Sequence, residues 1–287
     1  GLFGAGLIVV FMSFASVVGP DRDDALQVSL LVDRSGAAAL ADAVEAPVDA
    51  WMNMARRVPG IGYTSAAVWL RIALPEWQGD ERILELGDPL LQKLDVHVFA
   101  RSGLQIATYE MGTARPFFER PLRTTVFAVP LPAAASGGWV IARVQSETSV
   151  QVPVTLRTRD AFEHRMQSLM SRNGIYIGVA LAMLFHNLVV FILIRERAFL
   201  WYSGWVASFS LFILTLSGLS FQWFWPQSPD WNLTSLPVTL ALAVAVGGGF
   251  FTCFLGDGAA YGQGDRIINR LAWLSLVLAV AAFWLPY

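Results

Sequence analysis

Long runs without a charged residue constrain the fold of this chain more than any other feature. Four of them follow one another in the second part of the sequence, at residues 174–194, 199–219, 233–255 and 271–287. An α-helix of about 20 apolar residues is long enough to cross the hydrocarbon core of a bilayer. Four such runs in succession are not expected in a water-soluble protein. The sequence therefore predicts an all-α transmembrane helix bundle over residues 174–287.

The residues before this bundle have a different composition. Of the charged residues in the chain, 34 lie before residue 174 and 8 lie after it. Several early segments alternate apolar and polar side chains, which is the pattern of half-buried strands, and turn signals separate them. The predicted strands are 68–74, 82–86, 94–98, 105–109, 124–129, 139–144 and 150–157. We expect an extracytoplasmic all-β domain, a sandwich or jelly roll, over residues 20–160, and a linker at 161–173.

The first 19 residues contain no charged side chain and precede Pro20. This pattern is typical of the core of a signal peptide and also of a short N-terminal anchor, and both interpretations stay open. The basic segment that normally precedes such a core is missing. We therefore expect the true amino terminus to lie upstream.

Arginines in the short loops predict the orientation of the helices, because Lys and Arg accumulate on the cytoplasmic side. Arg195 and Arg197 follow the first predicted helix, and Arg266 and Arg270 follow the third. The loop at 221–232 has no Lys or Arg and carries three tryptophans, which suit a membrane–water interface. The tryptophan-rich loop and the β domain are therefore both expected outside.

Several segments, taken in order, resemble a known bacterial family. They are residues 62–71, 84–91, 95–98 and 115–121 in the β domain, and 187–188, 195–202 and 218–226 in the helical part. Their order resembles that of the seven-transmembrane receptors with diverse intracellular signalling modules, the 7TMR-DISM family. The resemblance covers nearly everything after Leu26.

This resemblance implies a jelly-roll outer domain similar to carbohydrate-binding modules, in the periplasm or outside, and a multi-pass bundle in the bacterial inner (cytoplasmic) membrane. It also implies a cytoplasmic output domain such as a histidine kinase or a cyclic-di-GMP enzyme. Four of the seven helices lie within these residues and no output domain does, so we expect a fragment or a truncated product. The expected function is ligand sensing. The alternative is a transport or envelope-assembly subunit whose β domain docks a periplasmic protein.

Aromatic rings beside polar side chains are the usual means of holding a sugar, since a flat ring covers the apolar face of the sugar. Trp69 and Arg71 share one face of a predicted strand, because side chains alternate along a strand. Trp51 and Trp77 are further ligand-binding candidates. The alternative is that Trp69 packs at the edge of the core and that Arg71 pairs with a carboxylate.

Two polar residues, His186 and Asn187, lie in the middle of the first predicted membrane helix. Polar groups at that depth are costly and usually face the bundle interior. They indicate either a signalling or proton-sensing element or an interhelical hydrogen bond that fixes packing. The spacing of Gly174 and Gly178 is also typical of helices that approach closely.

No constellation of catalytic or metal-binding residues occurs in the sequence. It has no HExxH or GxSxG motif, no phosphate-binding loop and a single cysteine, Cys253. His97 shares a strand face with Asp95 and could titrate near neutral pH, although a surface histidine has the same pattern. We therefore expect no enzyme activity, no metal and no cofactor.

The expected partners are a small extracytoplasmic ligand, carbohydrate in class, the lipid bilayer, and either a second copy in a homodimer or a signalling protein. A net charge of −2 gives no reason to expect nucleic acid.

Overall fold

The computed structural model describes residues 26–53, 60–63, 66–79, 81–86, 89–146 and 149–255, with 270, 271, 273–275 and 277 near the end of the chain. The earlier part of these residues is a β domain and the later part is helical. The predicted signal peptide or anchor at residues 1–19 lies outside the described residues. Most of the fourth predicted membrane helix, 271–287, also lies outside them.

In the described residues, the β domain has eleven strands and one short α-helix, α1 (Leu40–Glu45). The strands are β1 (Val28–Asp33), β2 (Met52–Asn53), β3 (Gly60–Tyr63), β4 (Ala67–Ala73), β5 (Arg82–Leu86), β6 (Lys93–Phe99), β7 (Gln105–Met111), β8 (Phe127–Leu131), β9 (Trp139–Gln145), β10 (Ser149–Gln151) and β11 (Val154–Thr158). Six of them form a sheet in the order β2-β1-β4-β9-β6-β7, three form a second sheet in the order β11-β5-β8, and β3 pairs with β10.

The two larger sheets pack face to face around one apolar core. Val68, Leu70 and Ile72 of β4 enter the core from the six-stranded sheet, and Leu84 and Leu86 of β5 enter it from the three-stranded sheet. All five side chains are fully buried. The period-two pattern therefore places one face of each sheet inward, and the predicted all-β sandwich is confirmed.

The strands differ from the sequence-based prediction at several places, and the short strands β2 and β3 were not predicted. The segment predicted as one strand at 150–157 is divided between β10 and β11 around Pro153, which has no N–H to donate to a ladder. The strand predicted to begin at Thr124 is β8, which begins at Phe127. Strand β1 was missed, because its sequence Val-Ser-Leu-Leu-Val-Asp has consecutive apolar residues and therefore no clear alternation.

The helical region contains α2 (Arg159–Ile194), α3 (Arg197–Leu216), the short α4 (Leu219–Trp223) and α5 (Pro229–Leu255). Within the described residues, α2, α3 and α5 are long and apolar enough to cross a membrane, and they match the first three predicted membrane helices.

The first of these helices begins earlier than its apolar run. The prediction placed its start at Gly174 after a linker at 161–173, whereas α2 begins at Arg159 and the predicted linker is helical. Thr158 caps it, since its Oγ1 accepts a hydrogen bond from the N–H of Ala161 at 3.2 Å. A charge-free run marks only the part of a helix that lipid can surround. The charged turns before that part continue the same helix toward the β domain.

Helices α3 and α5 pack through glycines. A Cβ added at Gly249 would lie 2.4 Å from Cζ3 of Trp201, and one added at Gly247 would lie 2.9 Å from Nε1 of Trp205. The two indole rings therefore fill space that a residue without a Cβ leaves open. The glycines singled out from the sequence, at positions 174 and 178, have no neighbour within 4 Å of an added Cβ among the described residues. Gly247 and Gly249, rather than Gly174 and Gly178, allow the close approach of the helices.

Candidate functional site

The six-stranded sheet turns its second face away from the core, and this outer face carries aromatic and charged side chains. Two adjacent rows across β4, β9 and β6 are Trp69–Arg143–Asp95 and Arg71–Ile141–His97. Side chains directly opposite one another on neighbouring strands lie about 5 Å apart at their Cβ atoms. The sheet register therefore brings together residues that are far apart in the sequence.

A short segment of chain covers part of the outer face. It comprises α1, a 3-10 turn at Val48–Ala50 and Trp51, and we call residues 40–51 the cap. Trp51 packs in one cluster with Trp69, Phe99 and Ile141. Trp69 is 1% exposed and Trp51 is 8% exposed. The structure thus places Trp69 on the same face as Arg71, as alternation predicts, and buries its ring beneath the cap.

Arg71 contacts an aromatic ring on this face. Its guanidinium carbon lies 5.1 Å from the ring centre of Trp139. Trp139 stacks in turn on Phe99, with 4.0 Å between ring centres and 5° between ring planes. A cation over an indole is a stabilising contact of about 0.5–1 kcal/mol at a partly exposed site. Within the described part of the chain, Arg71 has this aromatic contact in place of the carboxylate partner that was the alternative expectation.

Four charged side chains form a cluster on the same face. Nη1 of Arg115 lies 2.9 Å from Oδ1 of Asp95, and Nη2 of Arg115 lies 3.1 Å from Oε2 of Glu110. Nη1 of Arg143 is 4.0 Å from Oδ2 of Asp95. With Arg71, this face therefore holds three arginines and two carboxylates. The sequence analysis missed the cluster because Arg115 comes from a connection that carries no strand pattern.

His97 lies beside this cluster, on the same face as Asp95. Its Nδ1 is 3.4 Å from Nε2 of Gln105 and 3.4 Å from Oγ1 of Thr108. Burial lowers the pKa of His97, and the negative charges of Asp95 and Glu110 oppose that shift with a smaller effect. The folded protein therefore favours the neutral imidazole.

Trp77 lies apart from the other three predicted ligand residues. It lines an open cleft of about 380 Å³ with Glu76, Gln78, Arg101 and Ser136. Oγ of Ser136 accepts from the N–H of Trp77 at 2.7 Å and donates to its carbonyl oxygen at 2.9 Å, which fixes the backbone there. Glu76 and Arg101 form an ion pair at the cleft. The structure therefore brings three of the four candidates to the outer face or its cap, and Trp77 to a separate cleft.

The β domain contacts the helices at two separate places. At the first, Phe162 of α2 packs on Ile83 of the three-stranded sheet. Glu85, which is 3% exposed, accepts from Nε of Arg157 and from Nε of Arg165, each at 3.1 Å. Arg157 belongs to β11 and Arg165 to α2. One buried carboxylate thus joins the last strand to the first long helix.

At the second contact, Arg120 joins the β domain to α4. Its guanidinium carbon lies 4.6 Å, 4.3 Å and 5.7 Å from the ring centres of Phe117, Phe127 and Phe221. Its Nη1 donates to the carbonyl oxygen of Thr124 at 2.9 Å. Burial lowers the pKa of Arg120 to about 9, which leaves the group charged at neutral pH. Since Phe221 belongs to α4 and the other groups to the β domain, the buried cation bridges the two.

Backbone contacts support this second place. The N–H of Phe117 donates to the carbonyl oxygen of Pro226, in the connection from α4 to α5, at 2.8 Å. Gly218 precedes α4 with a φ of 76°, and a Cβ added there would lie 3.4 Å from Cβ of Pro89. The connection between the second and third long helices therefore lies on the same side as the β domain. This agrees with the orientation predicted from the loop charges.

The two predicted intramembrane polar residues lie on α2. Nδ2 of Asn187 donates to the carbonyl oxygen of Met183 in the same helix at 2.8 Å, so this hydrogen bond is not interhelical. His186 is exposed on α2 in the described structure. A polar contact between helices is made instead by Tyr176 and Ser210, whose hydroxyl oxygens are 3.5 Å apart.

Comparisons with known proteins agree with this division into two parts. The family model described as 7TMR-DISM extracellular 2 matches residues 25–158, and the model described as 7TM diverse intracellular signalling matches residues 170–287. No curated protein matches the chain. The two models describe parts of one family, and residues 159–169, which lie between the two matches, are the first turns of α2, where the β domain passes into the helices. The chain therefore belongs to the 7TMR-DISM family of membrane receptors, with an extracellular β domain followed by the helical membrane domain.

Proposed function

We propose that this chain is the sensory portion of a bacterial multi-pass receptor in the inner membrane. Its β domain binds an extracytoplasmic saccharide, and its helices relay the binding event to a cytoplasmic output domain. The observation that carries this proposal is the double contact between the β domain and the helices. Glu85 holds α2, whereas Arg120 holds α4. A ligand that alters the β domain therefore acts on two elements of the helical region at once.

Both contacts lie on the three-stranded side of the sandwich. Glu85 is on β5, and Phe127 beneath Arg120 is on β8, the strand paired with β5. The candidate ligand face is on the opposite sheet, and the two sheets share one close-packed core. Close-packed interiors transmit displacement because they have few voids to absorb it. The relay further requires that the ligand prefer one of two arrangements of the helices.

The side chains of the outer face support a saccharide as the ligand. Trp139 and Arg71 offer an aromatic surface next to a fork of hydrogen-bond donors. Asp95 and Glu110 supply acceptors nearby. Rings that cover the apolar face of a sugar, together with donors and acceptors for its hydroxyl groups, are what saccharide recognition needs. The family resemblance of the outer domain to carbohydrate-binding modules points the same way.

Two spin labels at the far end of the helices test the relay. One is attached to Cys253, the sole cysteine of the chain, and the other to Glu196→Cys in the connection from α2 to α3. The distance distribution between the labels is measured by double electron–electron resonance in the full chain, reconstituted in lipid. Arg120→Gln is expected to shift or broaden that distribution, because it releases α4 from the β domain.

Arg123→Gln is the matched control for this measurement. Arg123 lies three residues from Arg120 along the same connection, but it is exposed and contacts only the outward ring of Phe118 at 5.3 Å in the described residues. It is expected to leave the distribution unchanged. An unchanged distribution in Arg120→Gln and also in Glu85→Gln would refute a relay through these contacts.

A further inference from the structure

The packing beneath the cap leaves several hydrogen-bond donors without acceptors. Nε1 of Trp51, Nε1 of Trp69 and Nε of Arg143 are buried and have no hydrogen-bond partner among the described residues. Trp51 and Trp69 pack in one cluster, and the guanidinium carbon of Arg143 lies 5.8 Å from the ring centre of Trp69. Buried donors are almost always satisfied in folded proteins, since an unmade hydrogen bond is costly. Three of them in one place indicate an occupant that supplies acceptors.

The charge of the same face points to the nature of that occupant. Asp95 and Glu110 are both engaged by Arg115, at 2.9 Å and 3.1 Å. The guanidinium group of Arg71 lies over the ring of Trp139 and has no carboxylate neighbour in the described part of the chain. Arginine has five N–H donors and no acceptor. On this face, outside the cap, the three arginines outnumber the two carboxylates, and the buried indole and guanidinium donors lack acceptors, so an occupant with acceptors that carry negative charge suits this face.

We propose that the cap covers a binding site for an acidic saccharide. This rests on the proposed function and names the class of ligand that the same domain takes. The carboxylate of the sugar accepts from the indole N–H groups of Trp51 and Trp69 and faces Arg71 and Arg143. Charge-assisted hydrogen bonds of this kind are about twice as strong as neutral ones. The aromatic rings under the cap cover the apolar face of the sugar ring.

The cap can open without disturbing the sheet. Within α1 the fully buried residue is Ala43, and Val44 and Val48 are 40% and 81% exposed. The six-stranded sheet beneath is held by its own register from β1 to β7. Elements with few buried contacts open at low free-energy cost. Displacement of α1 therefore uncovers the aromatic surface while the strands stay paired.

Isothermal titration of the full chain in lipid nanodiscs tests this site with two matched pairs of sugars. The first pair is trigalacturonate and neutral galactotriose. The second is the disaccharide of N-acetylglucosamine and N-acetylmuramic acid, which carries a lactyl carboxylate, and neutral chitobiose. The acidic member of at least one pair is expected to bind at least tenfold more tightly than its neutral counterpart. The two pairs distinguish a uronic acid from a lactyl group as the source of the carboxylate.

Two variants locate the site. Arg71→Gln is expected to weaken binding of the acidic sugar at least tenfold and binding of the neutral sugar by a clearly smaller factor. Trp51→Phe keeps an aromatic ring but removes the indole N–H, so it is expected to weaken acidic binding severalfold in a chain that still folds. Arg101→Gln is the control, because Arg101 pairs with Glu76 at the separate cleft.

The outcomes separate this inference from the proposed function. Equal affinity for the acidic and neutral members overturns the acidic class and leaves saccharide binding in place. Absence of binding by all four sugars overturns the site, whereas the relay is judged by the spin-label distances alone. Unchanged acidic binding in both Arg71→Gln and Trp51→Phe overturns the location, and loss of binding in Arg101→Gln would move it to the Trp77 cleft.

Discussion

The β domain and the helical region bury their polar groups in opposite ways. In the β domain, Glu85 pairs with Arg157 and Arg165, which come from other elements. In the helices, the buried polar residues of the described chain are hydroxyl groups, and most of them donate to a carbonyl of their own helix, as Thr215 does to Leu211 at 2.8 Å. The first kind of contact links two elements, and the second satisfies one residue and links nothing. At the junction of the two regions, Glu85 and Arg120 make side-chain contacts of the first kind, beside the apolar packing of Phe162 and the backbone hydrogen bond of Phe117.

The helices are held together by shape. Lipid tails are as apolar as leucine side chains, so helices in a bilayer gain little from the hydrophobic effect and depend on close packing. Gly247 and Gly249 allow Trp205 and Trp201 to approach the backbone of α5. This comparison predicts that removal of a charge lowers the free energy of unfolding most in the β domain. Added side-chain volume is expected to lower it most in the helices.

Loss of the buried carboxylate is expected to have the largest effect. Glu85→Gln removes the negative charge between two guanidinium groups and should lower the free energy of unfolding by about 3 kcal/mol or more. Thermal and denaturant unfolding of the full chain measure it. The matched control is Glu163→Gln, whose carboxylate pairs with Arg159 at 3.1 Å on the surface, where a change of about 0.5 kcal/mol or less is expected. Equal effects of the two changes would contradict the distinction between buried and exposed pairs.

Added volume between the helices is expected to come next. Gly249→Ala places a methyl group where the ring of Trp201 lies, and should destabilise the packing of α3 on α5 by about 1–3 kcal/mol. Detergent-induced unfolding in mixed micelles measures it. Gly178→Ala is the control, since space is open there, and a change toward greater stability of up to about 1 kcal/mol is expected from helix propensity. Destabilisation by Gly178→Ala to the same extent would show that the packing contact is not the cause.

Removal of single hydroxyl groups should give a smaller, graded effect. The hydroxyl of Tyr109 donates to the carbonyl oxygen of Pro130 at 2.9 Å and so joins the two sheets of the sandwich. Tyr109→Phe is expected to cost about 1 kcal/mol. The hydroxyl of Thr239 donates to the carbonyl oxygen of Ser235 at 2.8 Å within α5, so Thr239→Val should cost less than about 0.5 kcal/mol. The reverse order in unfolding measurements would contradict the contrast between the two regions.

The smallest effect is expected from titration of His97. Burial lowers its pKa from 6.5, so the unfolded chain binds a proton before the folded one does. Stability of the β domain should therefore fall as the pH falls through and below about 6.5. His97→Gln should flatten this dependence in thermal unfolding scans between pH 7.5 and 5, relative to the unchanged chain. A steeper slope in the variant would show that attraction by Asp95 and Glu110 outweighs burial.

Local periodicity explains what was predictable. The strand β4 was predicted correctly because its side chains alternate, and the same alternation placed Trp69 and Arg71 on one face. The long helices were predicted because their charge-free runs match the thickness of a bilayer. The ends of elements were less predictable, since α2 continues from its apolar run back to Arg159 through charged residues that no membrane pattern marks.

The junction was not predictable from local pattern. Arg120 and Glu85 look like ordinary surface charges in the sequence, one in a connection and the other at an alternate position of β5. Their burial depends on Phe221 of α4 and on Arg165 of α2, which lie far from them along the chain.

Sequence distance is the reason. Arg165 is 80 residues away from Glu85 along the chain, and the two meet only because α2 folds back on the three-stranded sheet. Phe221 reaches Arg120 because the connection between α3 and α5 lies against the β domain. Neither approach has a periodic signal, since each depends on where whole elements pack.

The sequence by itself determined the division into a β domain and membrane helices, because hydrophobic period and run length are local properties that each segment carries alone. It also determined which strand face Trp69 and Arg71 share. The tertiary structure decided that Trp69 is buried under the cap, that Trp77 lies in a different cleft, and that Arg120 and Glu85 join the domain to the helices. These outcomes depend on contacts between segments distant in the chain, and burial, charge pairing and unmet hydrogen bonds arise only when those segments come together.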